Sequence, residues 1–203
     1  MITRDRFLLT GLVATFALSV AIATASANRL SVSNRTFRIA WTPIRVEPAS
    51  IECNLTLEGS FHSGTIVKTL GALVGYINRA SFAACANGQA TVLTETFPWH
   101  VRYRGYTGTL PNISGAVIGI VGLAFRWELA FFGSTCLIRT TAEDPFGAIA
   151  IVAAGGKVTG MRTDESTHIP MTNGCEALGE MSYAGTGAVT TPGTTTAIMV
   201  RLI

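Results

Sequence analysis

Histidines and carboxylates are the side chains best suited to acid–base chemistry, and this chain has few histidines. The three are His62, His100 and His168. A hydrolase base or a catalytic zinc site would have to be assembled from His100 and His168 with a carboxylate such as Glu95 or Asp164. No short motif brings these residues together along the chain. We therefore expect no catalytic residue, and a histidine-centred hydrolase is the alternative.

The short motifs of nucleotide, metal and serine-nucleophile chemistry are also missing from the sequence. No serine lies in a G-x-S-x-G elbow, and Gly155-Gly156-Lys157 is followed by Val158 where a phosphate-binding loop needs Ser or Thr. The adjacent acidic pairs, Glu143-Asp144 and Asp164-Glu165, are typical of solvated turns. We predict no cofactor and no metal site.

One segment, from Pro98 to Tyr106, combines aromatic and basic residues. Because the side chains of a strand alternate between two faces, we expect two sets here. One face holds Trp99, Val101 and Tyr103, and the other holds His100, Arg102, Arg104 and Tyr106. The second face is cationic, which favours an anionic or sugar ligand held by charge-assisted hydrogen bonds and stacking. The alternative is an exposed strand face with cross-strand ion pairs.

The aromatic and basic residues of this segment are our candidate binding residues. They are Trp99, His100, Arg102, Tyr103, Arg104 and Tyr106. The partner they suggest is a glycan or an anionic cell-surface polymer. A carbohydrate-binding module would need at least two of the rings of Trp99, Tyr103 and Tyr106 exposed and roughly coplanar. The net charge of +3 is too small to favour nucleic acid.

Four cysteines, Cys53, Cys85, Cys136 and Cys175, lie beyond the first 27 residues. An even number without a C-x-x-C pair predicts disulfides rather than a metal site. Sequential pairing closes two loops of roughly 30–40 residues, each contributing about 3–4 kcal/mol in the chain-entropy model. We predict Cys53–Cys85 and Cys136–Cys175.

The N-terminus has the pattern of a secretory signal peptide. Arg4 and Arg6 precede 17 uncharged residues, from Phe7 to Ala23, and Ala25-Ser26-Ala27 offers a small-x-small cleavage site. We expect residues 1–27 to be removed and residues 28–203 to form one secreted domain. No transmembrane segment is expected after cleavage, because the most apolar internal stretch, Ile113 to Phe125, spans 13 residues and contains three glycines.

The body of the chain is typical of β-structure. The full chain contains 27 threonines, 23 of them after residue 27, and alternating apolar residues predict strands at 36–47 and 52–61. Further strands are predicted at 90–94, 99–106, 117–129, 135–140, 148–153, 158–163, 181–184 and 195–202, and the Thr/Gly-rich run 185–196 is interpreted as a hairpin and its turn.

Residues 66–77 show helical spacing, but Gly71 and Gly75 disfavour a helix, so we predict two short strands broken near Gly71. Many short strands with almost no helix predict an all-β fold. We prefer a β-sandwich, with a closed or partly open β-barrel as the alternative.

Several phrases of the sequence resemble those of secreted, β-rich bacterial proteins without an assigned activity. They are residues 58–63, 98–103 and 107–112, together with the Thr-rich C-terminal strand. The resemblance carries no catalytic residue, cofactor or ligand to this chain. From the residues alone, we expect a secreted or cell-surface β-domain that acts by binding or by structure and not by catalysis. A secreted hydrolase and a carbohydrate-binding module are the alternatives.

Overall fold

The computed structural model describes residues 29–129, 133–164, 168–173 and 175–203. This part of the chain forms sixteen β-strands and short 3-10 helices at Thr94–Thr96, Ala154–Gly156 and Glu176–Leu178, without an α-helix. The strands are β1 Arg29–Val32, β2 Thr36–Glu47, β3 Ile51–Phe61, β4 Thr65–Val67, β5 Leu73–Ala86, β6 Gly88–Val92, β7 Trp99–Thr109, β8 Asn112–Val121, β9 Ala124–Leu129, β10 Ser134–Arg139, β11 Phe146–Val152, β12 Val158–Thr163, β13 Ile169–Thr172, β14 Glu180–Ala184, β15 Thr186–Thr190 and β16 Val200–Leu202. The predicted signal peptide lies outside the described residues. Within them, no helix is long and apolar enough to cross a membrane.

Eight strands close into a barrel. Their order is β15-β12-β11-β8-β7-β5-β3-β2, and β15 pairs with β2 to complete the ring. In that closing pair, Gly187 lies opposite Trp41 and Thr190 opposite Arg38. The all-β prediction is confirmed, but the preferred β-sandwich is wrong and the barrel alternative is correct. The physical reason is the β15–β2 pairing, which satisfies the edges that an open sheet would leave exposed.

Strand β2 takes part in both the barrel and a second sheet. A bulge at Thr42 and Pro43 adds one residue to β2 relative to β3, so Trp41 and Ile44 are both buried. Strands β14 and β15 follow each other along the same edge of β2, and Gly185 separates them opposite this bulge. The predicted hairpin at 185–196 is therefore wrong, because β15 pairs with β2 and β12.

The second sheet continues from β2 in the order β14-β13-β10-β9-β6. Both predicted disulfides lie at this end of the molecule and are confirmed. Cys53–Cys85 joins β3 to β5, and Cys136–Cys175 joins β10 to the residue before the last 3-10 helix. All four cysteines are therefore paired, as is usual in proteins of an oxidising compartment.

A small sheet covers the opposite end of the barrel. It has three strands in the order β16-β1-β4, and we call it the cap. The backbone N–H of Arg29 donates to the carbonyl of Ile203, so the two ends of the described chain are held together. Leu30 and Val32 of the cap face the barrel interior with Val200, and all three are buried.

The buried side chains form one continuous apolar cluster that joins the barrel to the second sheet. Trp41 packs edge-on against Phe146 with ring centroids 6.1 Å apart, and Phe146 packs against Tyr183 at 5.1 Å. On the other side, Phe82 of β5 contacts Phe125 of β9 at 4.7 Å. The two sheets therefore share one core.

The predicted strand bounds are most accurate where buried and exposed positions alternate regularly. Strands β2 and β12 have the predicted bounds, and residues 66–77 form strand segments rather than a helix, with Gly71 between them at a φ of +78°. The strand predicted at 117–129 is two strands, because Gly122 takes a φ of +85° and sends β9 into the second sheet. Of residues 195–202, 200–202 form a strand, and β13 was not predicted.

Candidate functional site

Strand β7 carries the candidate binding residues, and its first part alternates as predicted. Trp99, Val101 and Tyr103 are buried in the core, while His100 and Arg102 are half-buried on the outside and Arg104 is exposed. The exposed fractions of Trp99 and Tyr103 are 0% and 4%. These two rings cannot stack on a ligand at the outer surface.

Tyr106 does not lie where the alternation predicts. Arg104 is an extra residue in β7 relative to β8, because Tyr103 pairs with Ile118 and Gly105 with the next residue, Val117. Tyr106 then pairs with Ala116, and directly paired residues of an antiparallel sheet share a face. The predicted outward position of Tyr106 is therefore wrong: its ring shares the face of Tyr103.

Tyr106 nevertheless remains 42% exposed, because it lies toward the capped end of the barrel, where the Nζ atom of Lys68 is 5.9 Å from its ring centroid. Of the three rings that a carbohydrate-binding module would use, Tyr106 is the exposed one. Trp99 and Tyr103 belong to the core. These three residues therefore do not provide the two exposed, roughly coplanar rings that such a module needs.

The histidines fall into two places. His62 and His100 flank Tyr76 on the outside of the barrel, with ring-centroid distances to Tyr76 of 4.4 and 5.4 Å. His168 lies instead in a cavity of about 180 Å³ with Asp164, and His100 does not line that cavity. The structure therefore does not assemble His100 with His168. No group of three or more His, Cys, Asp and Glu side chains in the described ranges is arranged to hold a metal ion.

Arg102 and Arg104 line a pocket of about 160 Å³ on the outside of the barrel, which we call the arginine pocket. Its other lining residues are small or apolar: Leu70, Gly71, Gly119, Val121, Ala142 and Pro145. The pocket exists because glycines lie beside Arg102 in the sheet. Gly119 pairs with Arg102, and Gly147 pairs with Gly119, so two neighbouring strands place no side chain there.

The position of Arg102 is fixed by the backbone around it. Its guanidinium Nη1 donates a hydrogen bond of 3.0 Å to the carbonyl oxygen of Gly71, and its Nε atom is buried without a hydrogen-bond partner. Arg104 extends across Gly119 toward Pro145, because a Cβ added to Gly119 would lie 2.9 Å from its Cδ atom and 3.1 Å from Cβ of Pro145. The two guanidinium groups therefore border one recess.

Cross-strand ion pairs, the alternative interpretation of this basic surface, occur on the neighbouring strands. Glu58 lies 3.8 Å from Arg38 and 3.3 Å from Arg79, so it partly neutralises both. Neither Arg102 nor Arg104 forms an ion pair with any residue that the structure describes. The positive charge of the arginine pocket is therefore not compensated in this way.

A second recess adjoins the arginine pocket and has the opposite character. It is the cavity that contains His168, and it is also lined by Glu143, Asp144 and Asp164. Arg104 and Pro145 line both recesses and separate them. A ligand group in the arginine pocket therefore meets two cations, whereas a group beyond Arg104 meets carboxylates.

None of the six residues that line the arginine pocket beside Arg102 and Arg104 was predicted to lie there. Leu70 and Gly71 come from the loop between β4 and β5, and Pro145 precedes β11. The glycine-rich stretch around Gly119 and the Asp144-Pro145 turn were visible in the sequence. Nothing in the local pattern shows that they lie next to Arg102.

Comparisons of this chain with protein-family models, with curated proteins and with solved structures find no match.

Proposed function

We propose that this protein is a secreted or cell-surface binding protein, not a catalyst, and that it binds an acidic polysaccharide through the arginine pocket. The observation that carries the proposal is the pair Arg102 and Arg104, which border one recess without an acidic partner in the described chain. Guanidinium groups bind carboxylates and sulfates through paired, charge-assisted hydrogen bonds. An acidic group is therefore the natural occupant.

The size of the pocket favours a polymer over a free small molecule. Its volume of about 160 Å³ is smaller than the roughly 300–1,000 Å³ of pockets that enclose drug-sized ligands. It accommodates one charged substituent and part of a ring. A polymer gains affinity by placing neighbouring units on the surface beside such a pocket.

The protein surface next to the pocket suits an uncharged part of the same polysaccharide. Tyr76 pairs with His100 in the sheet, and His62 packs edge-on against Tyr76. His100 lies two residues before Arg102 on the same face of β7. Together with Tyr76 and His62 it offers aromatic edges and hydrogen-bonding groups beside the pocket. The two disulfides also support a location outside the cytoplasm, where such polymers occur.

The proposal is tested with the purified protein, polygalacturonate as the acidic polymer and dextran as the neutral one. We expect binding to polygalacturonate that weakens with salt, and no comparable binding to dextran. Arg104→Ala should weaken binding about tenfold or more, because a hydrogen bond to a charged group contributes about 1.5–3 kcal/mol. Arg201→Ala is the matched control, since Arg201 is exposed on β16 and lines a different recess with Pro111 and Asn112, at the far end of the β7–β8 hairpin.

Two results would contradict this proposal. One is equal binding of the two polymers. The other is an equal loss in Arg104→Ala and Arg201→Ala, which would mean that net charge alone attracts the polymer. Arg104→Lys separates charge from geometry, because lysine keeps the charge but loses the planar pair of donors.

A hydrolase built on His168 is the second candidate function. The observation in its favour is the cavity that His168 shares with Glu143, Asp144 and Asp164. Imidazole beside carboxylates is a common arrangement for general acid–base catalysis. Turnover of an ester or glycoside that is lost in His168→Ala and kept in His100→Ala would replace the binding proposal.

A further inference from the structure

The cap has an outer face that points away from the barrel. On β1, Leu30 and Val32 are buried against the barrel interior, so Arg29 lies on the outer face. Arg29 pairs with Val67 of β4, and its backbone N–H and carbonyl bond to the carbonyl and N–H of Ile203. Directly paired residues of an antiparallel sheet share a face. Val67, Arg29 and Ile203 therefore form one row across the outside of the cap.

Three turns extend this surface beyond the cap strands. After β4, the Nζ atom of Lys68 lies 5.9 Å from the ring centroid of Tyr106. The β7–β8 turn adjoins β16, because Pro111 and Arg201 line the same recess. Lys157 of the β11–β12 turn pairs with the residue before β16. We call the exposed side chains of residues 29–35, 65–70, 106–111, 153–157 and 199–203 the cap face.

The charge of the cap face has one sign. Its basic residues are Arg29, Arg35, Lys68, Lys157 and Arg201. Its segments contain no aspartate or glutamate. The acidic residues of the described chain lie in other parts of the fold: Glu47, Glu52, Glu58, Glu95, Glu128, Glu143, Asp144, Asp164, Glu176 and Glu180. A basic surface of this kind attracts an anionic partner.

Large apolar side chains project from the same surface. Leu70 is 75% exposed, Leu110 48%, Ile203 47%, Val67 46% and Tyr106 42%. These five are most of the large hydrophobic side chains that the described chain exposes. Exposed apolar groups concentrated in one region are typical of protein or membrane interaction sites.

The combination of cations and apolar groups selects the partner. The centre of a protein–protein interface is depleted of charge, whereas here Arg29 lies between Val67 and Ile203. An acidic polysaccharide would use the cations but leave the apolar side chains in water. An anionic bilayer uses both, because its headgroups bind cations and the boundary of its acyl chains takes up apolar groups. Arg and Lys side chains are long enough to stay with the headgroups.

We propose that the cap face docks on the surface of an anionic lipid bilayer. In this arrangement Val67, Leu110 and Ile203 enter the boundary between headgroups and acyl chains, and the basic side chains bind lipid phosphates. The proposal does not rest on the proposed function, because Arg102 and Arg104 lie outside the cap face. Leu70 borders both the cap face and the arginine pocket, so the test leaves it unchanged.

The test measures cosedimentation of the purified protein with vesicles of phosphatidylcholine and phosphatidylglycerol in equal parts, and with vesicles of phosphatidylcholine alone. We expect binding to the mixed vesicles that weakens with salt, and much weaker binding to the neutral ones. Lys157→Gln with Arg201→Gln should weaken binding to the mixed vesicles about tenfold or more, because each basic residue near an anionic surface contributes roughly fivefold. The matched control is Arg126→Gln with Arg139→Gln, which removes two exposed cations of the second sheet and should change binding little.

Val67→Ser with Leu110→Ser tests insertion into the bilayer. Both side chains are exposed, so the fold should be kept, and the loss of apolar contact should weaken binding to the mixed vesicles about tenfold. Polygalacturonate binding should be unchanged in this double variant, so the two proposals can fail separately. A polarity-sensitive dye on the Thr109→Cys variant should respond to the mixed vesicles. The same dye on Thr91→Cys, exposed on β6 of the second sheet, should not respond.

The proposal is overturned if the wild-type protein does not bind the mixed vesicles. Equal losses in the two pairs of charge variants would also overturn it, since net charge alone would then attract the protein. Unchanged binding of Val67→Ser with Leu110→Ser would show that the apolar side chains stay outside the bilayer, and equal dye responses at the two labelled positions would place the contact elsewhere. A wild-type dimer that this double variant dissociates, seen by analytical ultracentrifugation, would assign the cap face to a second copy of the chain instead.

Discussion

The guanidinium of Arg102 donates a hydrogen bond to the carbonyl oxygen of Gly71, which lies 31 residues earlier in the chain. The N–H of Gly71 in turn donates to the carbonyl of Tyr103 at 2.7 Å, and the N–H of Tyr103 donates to the carbonyl of Ala72 at 2.9 Å. The loop before β5 is thus attached to β7 as a short additional strand would be. It borders the arginine pocket on one side of β7 and supports the backbone of Tyr103 on the other.

Gly71→Ala should destabilise the protein by about 1–2 kcal/mol. Gly71 has a φ of +78°, and a Cβ at that position would meet no atom within 4 Å, so the cost comes from the left-handed backbone alone. Chemical denaturation gives the free energy of unfolding. Gly64→Ala is the matched control, because it also has open space but no positive φ. Equal stability of the two variants would contradict the assigned conformation of the loop.

Gly187→Ala should weaken closure of the barrel. A Cβ there would lie 2.7 Å from the carbonyl oxygen of Ala40 and 3.0 Å from the backbone nitrogen of Trp41, and both atoms belong to the closing strand β2. Backbone cannot move aside as a flexible side chain can, so we expect a loss of roughly 1–3 kcal/mol. Thr186→Ala, at an exposed neighbouring position of β15, should change stability little. If Gly187→Ala were as stable as Thr186→Ala, β15 would not lie against β2 as described.

The two disulfides should contribute nearly equal stabilities. Their sequence separations are 32 and 39 residues, and in the chain-entropy model loops of these lengths each contribute about 4 kcal/mol and differ by well under 1 kcal/mol. The comparison is between Cys53→Ala with Cys85→Ala and Cys136→Ala with Cys175→Ala, each measured by thermal and chemical unfolding. A large loss confined to one pair would show that strain or local packing, and not loop closure, governs the effect.

Stability should fall above about pH 10, the ordinary titration range of tyrosine. Burial strongly raises the pKa of Tyr183, and a smaller effect of the adjacent Trp127 indole lowers it. The phenol oxygen of Tyr183 and the indole nitrogen of Trp127 nevertheless lack a hydrogen bond of good geometry. The native state therefore keeps a proton that the unfolded chain loses, so the free energy of unfolding decreases with pH, by up to about 1.4 kcal/mol per pH unit for this group.

Tyr183→Phe tests that assignment. The variant should show a shallower decline in the free energy of unfolding between about pH 10 and 12, because one of the protons released on unfolding is removed. Tyrosinate absorbance, followed along the same pH series, reports the ionisation directly. An unchanged decline would mean that Tyr183 does not stay protonated in the native state.

Local alternation predicted most of the strands because it depends on neighbouring residues alone. Thr36–Glu47 and Val158–Thr163 have the predicted bounds, and loop lengths sufficed to predict both cysteine pairs. The bulge at Arg104 shows the limit. One extra residue in β7 places Tyr106 on the face opposite to the one that the alternation predicts. This bulge is defined by the pairing of β7 with β8, so it is not visible in β7 alone.

The sequence predicted the two arginines of the arginine pocket but not the recess that they border. Arg102 and Arg104 were identified from their spacing along a strand, but the recess beside them depends on Gly119 of β8 and Gly71 of a loop. Tyr103 was expected on the inward side of β7 and lies there, in a core that residues of distant strands complete.

The amino-acid sequence by itself determined the β-class of this protein, the faces of its longest strands and its cysteine pairing, because periodicity and loop length are local properties of a chain. The tertiary structure alone decided that the sheet closes, that a cap covers one end, and which residues surround Arg102 and Tyr103. Closure of the barrel places Gly187 opposite Trp41. The alternation of apolar and polar residues predicts which face of a strand is buried, but it does not predict which distant strand pairs with it.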